Sequence, residues 1–203
     1  MNPVYLVPAG EARIELRFKN SLFIGTAGPV ATVEEARALV ARLRAEFPDA
    51  SHQVYAFAVG FGASLIHGMS DDGEPSGTAG RPVLAVVQGA GLGDVAVVVT
   101  RYFGGTKLGT GGLVKAYGST AKAVLEVLPR AEKIAKVAAR LVLPYALHAR
   151  GRLLIGEAEG EVESEEFGAQ VVLRLRLRQD RAEALDLALR ELSAGRVRLE
   201  LSG

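Results

Sequence analysis

Three carboxylates crowd into four positions at Asp71, Asp72 and Glu74, inside the run Ser70-Asp71-Asp72-Gly73-Glu74-Pro75-Ser76-Gly77-Thr78-Ala79-Gly80. Such a density repels itself unless a cation, a donor-rich backbone or solvent absorbs it. A divalent cation is hard enough to prefer these oxygens, although the spacing lacks the ligand order of an EF-hand loop. The plainer use is a turn: Asp and Gly favour one, Pro75 fixes a φ angle, and Thr78 can cap the helix that follows.

A second constellation runs Arg101-Tyr102-Phe103-Gly104-Gly105-Thr106-Lys107-Leu108-Gly109-Thr110-Gly111-Gly112, between an apolar strand and a long helix. Glycines at a helix start let a phosphate approach unpaired N–H groups, and Arg101 or Lys107 would supply the matching charge. The spacing is neither a Walker A motif nor a dinucleotide fingerprint. Close strand–helix packing would use the same glycines. Tyr102 and Phe103 offer base-stacking surface, with one of the pair expected to point into the core.

His52 is a candidate ligand or general base, or a hydrogen-bonded structural histidine. His67 and His148 have no partner pattern, and no GxSxG or SxxK arrangement marks a nucleophile. An enzyme, if this is one, would be a metal-assisted hydrolase or phosphotransferase working through His52, Asp71, Asp72 and Glu74. A groove that receives a peptide is a third reading. Binding without catalysis, and without a cofactor, is the reading preferred here.

The elements that must hold these residues follow from periodicity. Ala12, Ile14, Leu16 and Phe18 alternate with charged neighbours, as a half-buried strand does. Thr32-Val33-Glu34-Glu35 has capping-box spacing, and Ala36, Leu39, Val40, Leu43 and Phe47 then share a helical face up to Pro48. Val54 to Val59 reads as a strand, Thr78 to Gln88 as a short helix, and Val95 to Arg101 as a central strand. Leu113 to Leu128 continues at helical spacing until Pro129. Between Arg130 and Lys136 the pattern breaks, which sets the domains at 1–134 and 135–203.

Beyond the break come a strand near Val137 to Leu143, a helix through Leu147 to Ile155, a hairpin, a helix begun by Asp180-Arg181-Ala182-Glu183 and a final strand. This βαββαβ order predicts a ferredoxin-like domain. Leu185, Ala188, Leu189 and Leu192 share one face of its second helix before Gly195. Arg174, Arg176 and Arg178 suggest a phosphate-binding stripe. However, Glu157, Glu159, Glu161 and Glu163 alternate likewise, and a hairpin turning near Phe167-Gly168 would set Glu against Arg and neutralise it.

Composition bounds the function classes. The 203 residues are 49% hydrophobic, enough for two cores, and carry a net charge of +1. Each side of Arg130 is close to neutral, so any phosphate-binding surface is local. With no cysteine there is no disulfide framework, thiolate metal site or thiol nucleophile. No apolar stretch is long enough to span a bilayer and Met1 leads into no signal pattern, so a soluble cytoplasmic protein is expected, with no membrane partner.

Ser70 to Pro82 (SDDGEPSGTAGRP), Val97 to Tyr117 (VVVTRYFGGTKLGTGGLVKAY) and Ala50 to Phe57 (ASHQVYAF) together resemble the signature of the YigZ/Impact family in its bacterial two-domain form. The resemblance spans nearly the whole chain. It departs from the commonest form around His52 and Tyr55, where a cysteine can precede the aromatic, and so leaves no thiol-based role. It implies an α+β protein. The N-terminal domain would be a two-layer α/β domain like a small-subunit ribosomal protein and domain four of elongation factor G. The C-terminal ferredoxin-like domain would resemble domain five of that factor. Eukaryotic relatives are linked to translational control under amino-acid starvation, which implies RNA, the ribosome or a protein of translation control as partner. Fold analogy alone carries an association, not a mechanism. Carried over, the candidate surface joins Arg101, Gly104, Gly105, Lys107, Ser76, Gly77 and Thr78 as phosphate or RNA ligands to His52, Asp71, Asp72 and Glu74, which would set specificity or hold a cation.

Overall fold

In the computed structural model, residues 4–202 are described, and the chain divides into two units, Tyr5–Lys133 and, together with Val4, the residues from Ile134 onward. The first is built on a five-stranded antiparallel sheet. Its strands are β2 (Ala12–Phe18), β3 (Ser21–Pro29), β4 (His52–Val59), β5 (Ile66–Ser70) and β6 (Val95–Tyr102), in the order β2-β3-β6-β4-β5. The apolar, β-branched β6 takes the central place because both of its faces are covered. Val95, Val97 and Val99 face α2 (Gly80–Gly89) and α3 (Gly109–Val127), sharing a core with Val83, Ala116, Tyr117, Ala121 and Val124. Ala96 and Val98 face the other way, toward Ala36, Val40 and Leu43 of α1 (Val33–Glu46). The sheet therefore carries a helix on its reverse face as well, which the two-layer expectation does not include.

The capping box of α1 forms as its sequence requires. The Glu35 N–H donates to Thr32 Oγ1 at 3.1 Å, and the Glu35 carboxylate accepts from the Ala31 N–H at 2.6 Å, one residue ahead of the cap. The opposite layer lies close to the sheet. A Cβ on Gly25 of β3 would sit 3.2 Å from the Thr120 carbonyl oxygen of α3, so a side chain there would crowd the helix that crosses the strand.

Two further strands, β1 (Val4–Pro8) and β7 (Arg130–Ile134), pair as a separate two-stranded ribbon. The stretch that breaks the helical pattern is thus itself a strand. The ribbon is pinned at Asp94, which is 5% exposed and has a φ of 53°. Its carboxylate accepts from Tyr5 Oη at 3.0 Å, Lys133 Nζ at 2.5 Å and the Gly60 N–H at 2.8 Å. That hydrogen bond holds the Lys133 ammonium above its ordinary range.

The second unit has β8 (Lys136–Leu143), α4 (Tyr145–Glu157), β9 (Glu161–Phe167), β10 (Val171–Arg178), α5 (Ala182–Ser193) and β11 (Leu199–Ser202). Its antiparallel order β11-β8-β10-β9 is the ferredoxin-like arrangement. Leu141, Leu143, Leu173, Leu175 and Leu177 pack on one face with Ile155, Leu185 and Leu189. Asp180 does not cap α5, because its carboxylate is taken by Arg178 at 2.9 Å and no side chain caps that helix among the described residues. Glu157 and Glu159 also miss the strand, since one ends α4 and the other turns with a φ of 56°. The arginine stripe is nonetheless neutralised. Arg176 meets Glu163 at 2.7 Å, Arg174 meets Glu166 at 3.6 Å, and Arg178 meets Glu159 at 3.6 Å.

Candidate functional site

The acidic loop solves its own repulsion by sending each carboxylate to different donors. Asp71 reaches across to the start of α2, where Oδ1 accepts from the N–H groups of Ala79 at 3.1 Å and Gly80 at 2.7 Å. Its Oδ2 accepts from the Gly77 N–H at 2.9 Å. Burial works to raise its pKa, yet these three N–H groups and Arg81 outweigh it and hold the carboxyl below the usual range. Thr78 is not the cap: its hydroxyl donates to the Pro75 carbonyl at 2.6 Å. A Cβ on Gly80 would lie 2.9 Å from the Ser70 carbonyl oxygen, so glycine is what lets the helix start sit this close to the loop. The anion place at the start of α2 is therefore filled from within. Gly77 and Thr78 have spent their donors and Ser76 stands exposed beside them.

Asp72, with a φ of 44°, accepts from the Gln53 N–H and from Arg44 Nη2, both at 2.6 Å. Its carbonyl oxygen lies 2.9 Å from His52 Nδ1, which fixes that ring at the start of β4. Glu74 turns inward and is 8% exposed. Its Oε1 accepts from Arg101 Nη1 at 2.5 Å and from Tyr117 Oη at 2.6 Å, with His52 Nε2 at 3.8 Å. Burial first, and then Glu74, push the Tyr117 hydroxyl far above its ordinary value, so it stays a protonated donor. Among the described residues no group of three or more His, Cys, Asp or Glu side chains is placed to hold a metal ion. Each of the three carboxylates is held by donors of this chain.

Arg101 corrects the sequence reading most sharply. It ends β6 at 4% exposure, with its guanidinium on Glu74, 3.4 Å from Ser21 Oγ, and over the rings of Phe23 and Phe103. It brings the acidic loop and the glycine-rich loop together, but as an internal ion pair. A ligand phosphate would have to compete with Glu74 for it. Tyr117 and Ser21, which complete this network, were not singled out for chemistry. The signal available was one hydroxyl-bearing aromatic among the aliphatic residues of the α3 face, since a buried Tyr O–H needs a partner.

The glycine-rich loop is the open part. Gly104 is forced, because a Cβ there would lie 2.0 Å from the Asn20 carbonyl oxygen. Its N–H donates to Ser21 Oγ at 3.2 Å, and the Phe103 N–H donates to Ser51 Oγ at 3.0 Å. Tyr102 is tied to Asp49 through its hydroxyl at 3.0 Å, while Phe103 is 46% exposed. Gly105 and Gly109 have φ of 80° and 73°, with open space where a Cβ would be. Lys107 is exposed, and Lys19 donates to its carbonyl oxygen at 3.0 Å. Among the described residues no side chain caps α3, and its first turn holds no acid. No helix described here is long and apolar enough to cross a membrane.

A family model for the Impact N-terminal domain matches residues 19–125, and one for a domain of unknown function, DUF1949, matches residues 141–196. The chain is 37% identical over 196 residues to the IMPACT family member YigZ of Escherichia coli, covering 96% of each. It is likewise 37% identical over 198 residues to an IMPACT family member of Haemophilus influenzae, covering 97% of this chain and 96% of the relative. A solved chain described only as a hypothetical protein superposes with a TM-score of 0.78 at 36% identity, covering 100% of this chain and 99% of that one. With matches in both units and alignment over nearly its full length, this chain belongs to the IMPACT family.

Proposed function

We propose that the first unit binds RNA, free or within the ribosome, and that the protein acts in translation regulation without catalysing a reaction itself. The observation that carries this reading is the contrast between two helix starts. That of α2 is filled by Asp71, whereas that of α3 has neither cap nor acid among the described residues. The segment Phe103 to Gly112 holds no carboxylate but includes Lys107, on whose carbonyl oxygen the Lys19 ammonium rests. Uncapped N–H groups, nearby cations and a segment free of carboxylates are what a phosphate backbone needs. The resemblance of the domain order to domains four and five of elongation factor G supports the ribosome as the setting.

The test is sedimentation with ribosomes from the same source across a salt series. Binding should weaken steeply as counterions compete, and Lys19→Ala/Lys107→Ala should lower both the affinity and the salt slope. No co-sedimentation at low salt, or binding indifferent to both lysines, overturns the proposal. Arg101→Ala is unsuited to this test, because it strands Glu74 in the interior.

A further inference from the structure

We infer that Phe103 is a preformed stacking platform for an unpaired base, so that the RNA taken by the glycine-rich loop is single-stranded. This rests on the reading above and specifies its ligand. Phe103 is a large apolar side chain with nearly half of its surface open, at the head of the segment Gly104-Gly105-Thr106-Lys107. Its backbone is fixed on both sides, by the Phe103 N–H on Ser51 and the Gly104 N–H on Ser21. Gly104 itself is wedged against Asn20.

The ring is supported from within. The Arg101 guanidinium lies 5.4 Å from its centroid and 5.3 Å from that of Phe23, so the cation sits between the exposed ring and the buried one. Glu74 and Ser21 hold the guanidinium, and among the described residues its buried Nε has no hydrogen-bond partner. Arg101 is thus a positioning residue. A base laid on the outer face of Phe103 would stack on it, while its phosphates would meet Lys107, Lys19 and the N–H groups of α3. Bases within a duplex are already stacked, so they cannot use such a platform, and every base has a π-face, so it would be tolerant of sequence. A ring carried on a fixed backbone loses less freedom on binding than one on a mobile loop.

The chain contains no tryptophan, so Phe103→Trp installs a single reporter at the platform. Titration with an oligouridylate or oligoadenylate should change its emission saturably, and a duplex RNA of the same length should not. Phe103→Ala and Phe103→Leu should each weaken single-strand binding roughly ten- to hundredfold, with Phe103→Tyr close to wild type. Lys107→Ala should weaken binding yet leave the emission change at saturation intact. Single-strand binding with unaltered tryptophan emission and an unaffected Phe103→Ala variant overturns the platform while leaving RNA binding standing. Preference for the duplex also overturns it. If the wild type binds no polynucleotide, the underlying reading falls and the platform with it.

Discussion

Glu74→Ala removes the one oxygen shared by Arg101 and Tyr117, and its cost follows from the burial of all three. Glu74 is 8% exposed, Arg101 4% and Tyr117 0%, so neither donor can turn to bulk water. What remains for the guanidinium is Ser21 at 3.4 Å, a long contact to a neutral hydroxyl. Removing one partner of a buried pair costs about 3–5 kcal/mol, chiefly because the other charge is left uncompensated. With a urea m-value of about 2 kcal/mol/M, the midpoint should fall by about 1.5–2.5 M. That is a large share of the roughly 5–15 kcal/mol that stabilises a domain. Tyr117→Phe leaves the ion pair intact and should cost only about 1–2 kcal/mol. Arg101→Met/Glu74→Leu removes both charges, so it should be clearly more stable than Glu74→Ala and far from the sum of its single variants. Urea denaturation of the full chain followed by circular dichroism measures all of them. A midpoint shift below about 0.5 M for Glu74→Ala, or additive losses in the double variant, would refute the account of a tightly coupled buried pair.

Asp71→Asn should cost about 1–2 kcal/mol at neutral pH, since the start of α2 loses its anionic acceptor. The Asp71 carboxyl is depressed in the folded state, so its contribution is complete above the unfolded value of about 3.9 and is lost as pH falls through the lower folded value. Wild type and Asp71→Asn should converge there in acid-titrated thermal melts, and a constant gap would contradict the cap. Gly104→Ala should lower the melting temperature markedly, because the new methyl meets backbone at 2.0 Å, whereas Gly111→Ala, with open space around it in the first turn of α3, should be neutral or slightly stabilising. Lys133→Ala leaves Asp94 short of a partner, and hydrogen exchange along β1 and β7 should accelerate relative to β6.

What was legible in the sequence was what local chemistry decides. The alternation from Ala12 to Phe18, the capping box at Thr32, the apolar β6 and the βαββαβ order all rest on neighbours in the chain. What was not legible depended on distant partners. Thr78 is a good cap by type, but Asp71 arrives from the loop with charge and two acceptor oxygens and takes the place. Arg101 looks like a phosphate ligand beside its glycines, and only the fold shows that Glu74 has claimed it. β3 was hidden because it lies between β2 and β6 and has glycine where α3 crosses, which erases the two-residue period. The ribbon of β1 and β7 joins segments at opposite ends of the first unit, and no local pattern announces such a pairing. Tyr102 and Phe103 were legible as a pair, and only the fold shows that Tyr102 is tied to Asp49 while Phe103 is left exposed.

The ribbon also sets an order of events at the ribosome. β1 precedes every strand of the main sheet, yet its partner β7 emerges only after all five of those strands and all three helices of the first unit. Until Lys133 clears the exit tunnel, Asp94 has no cation and β1 has no neighbouring strand. A nascent chain stalled just short of that residue should therefore hold a nearly complete sheet with β1 tethered by Tyr5 on Asp94 and Leu6 on Gly93 but not yet latched by β7, more open to proteases and chaperones, and release of a few more residues should close it.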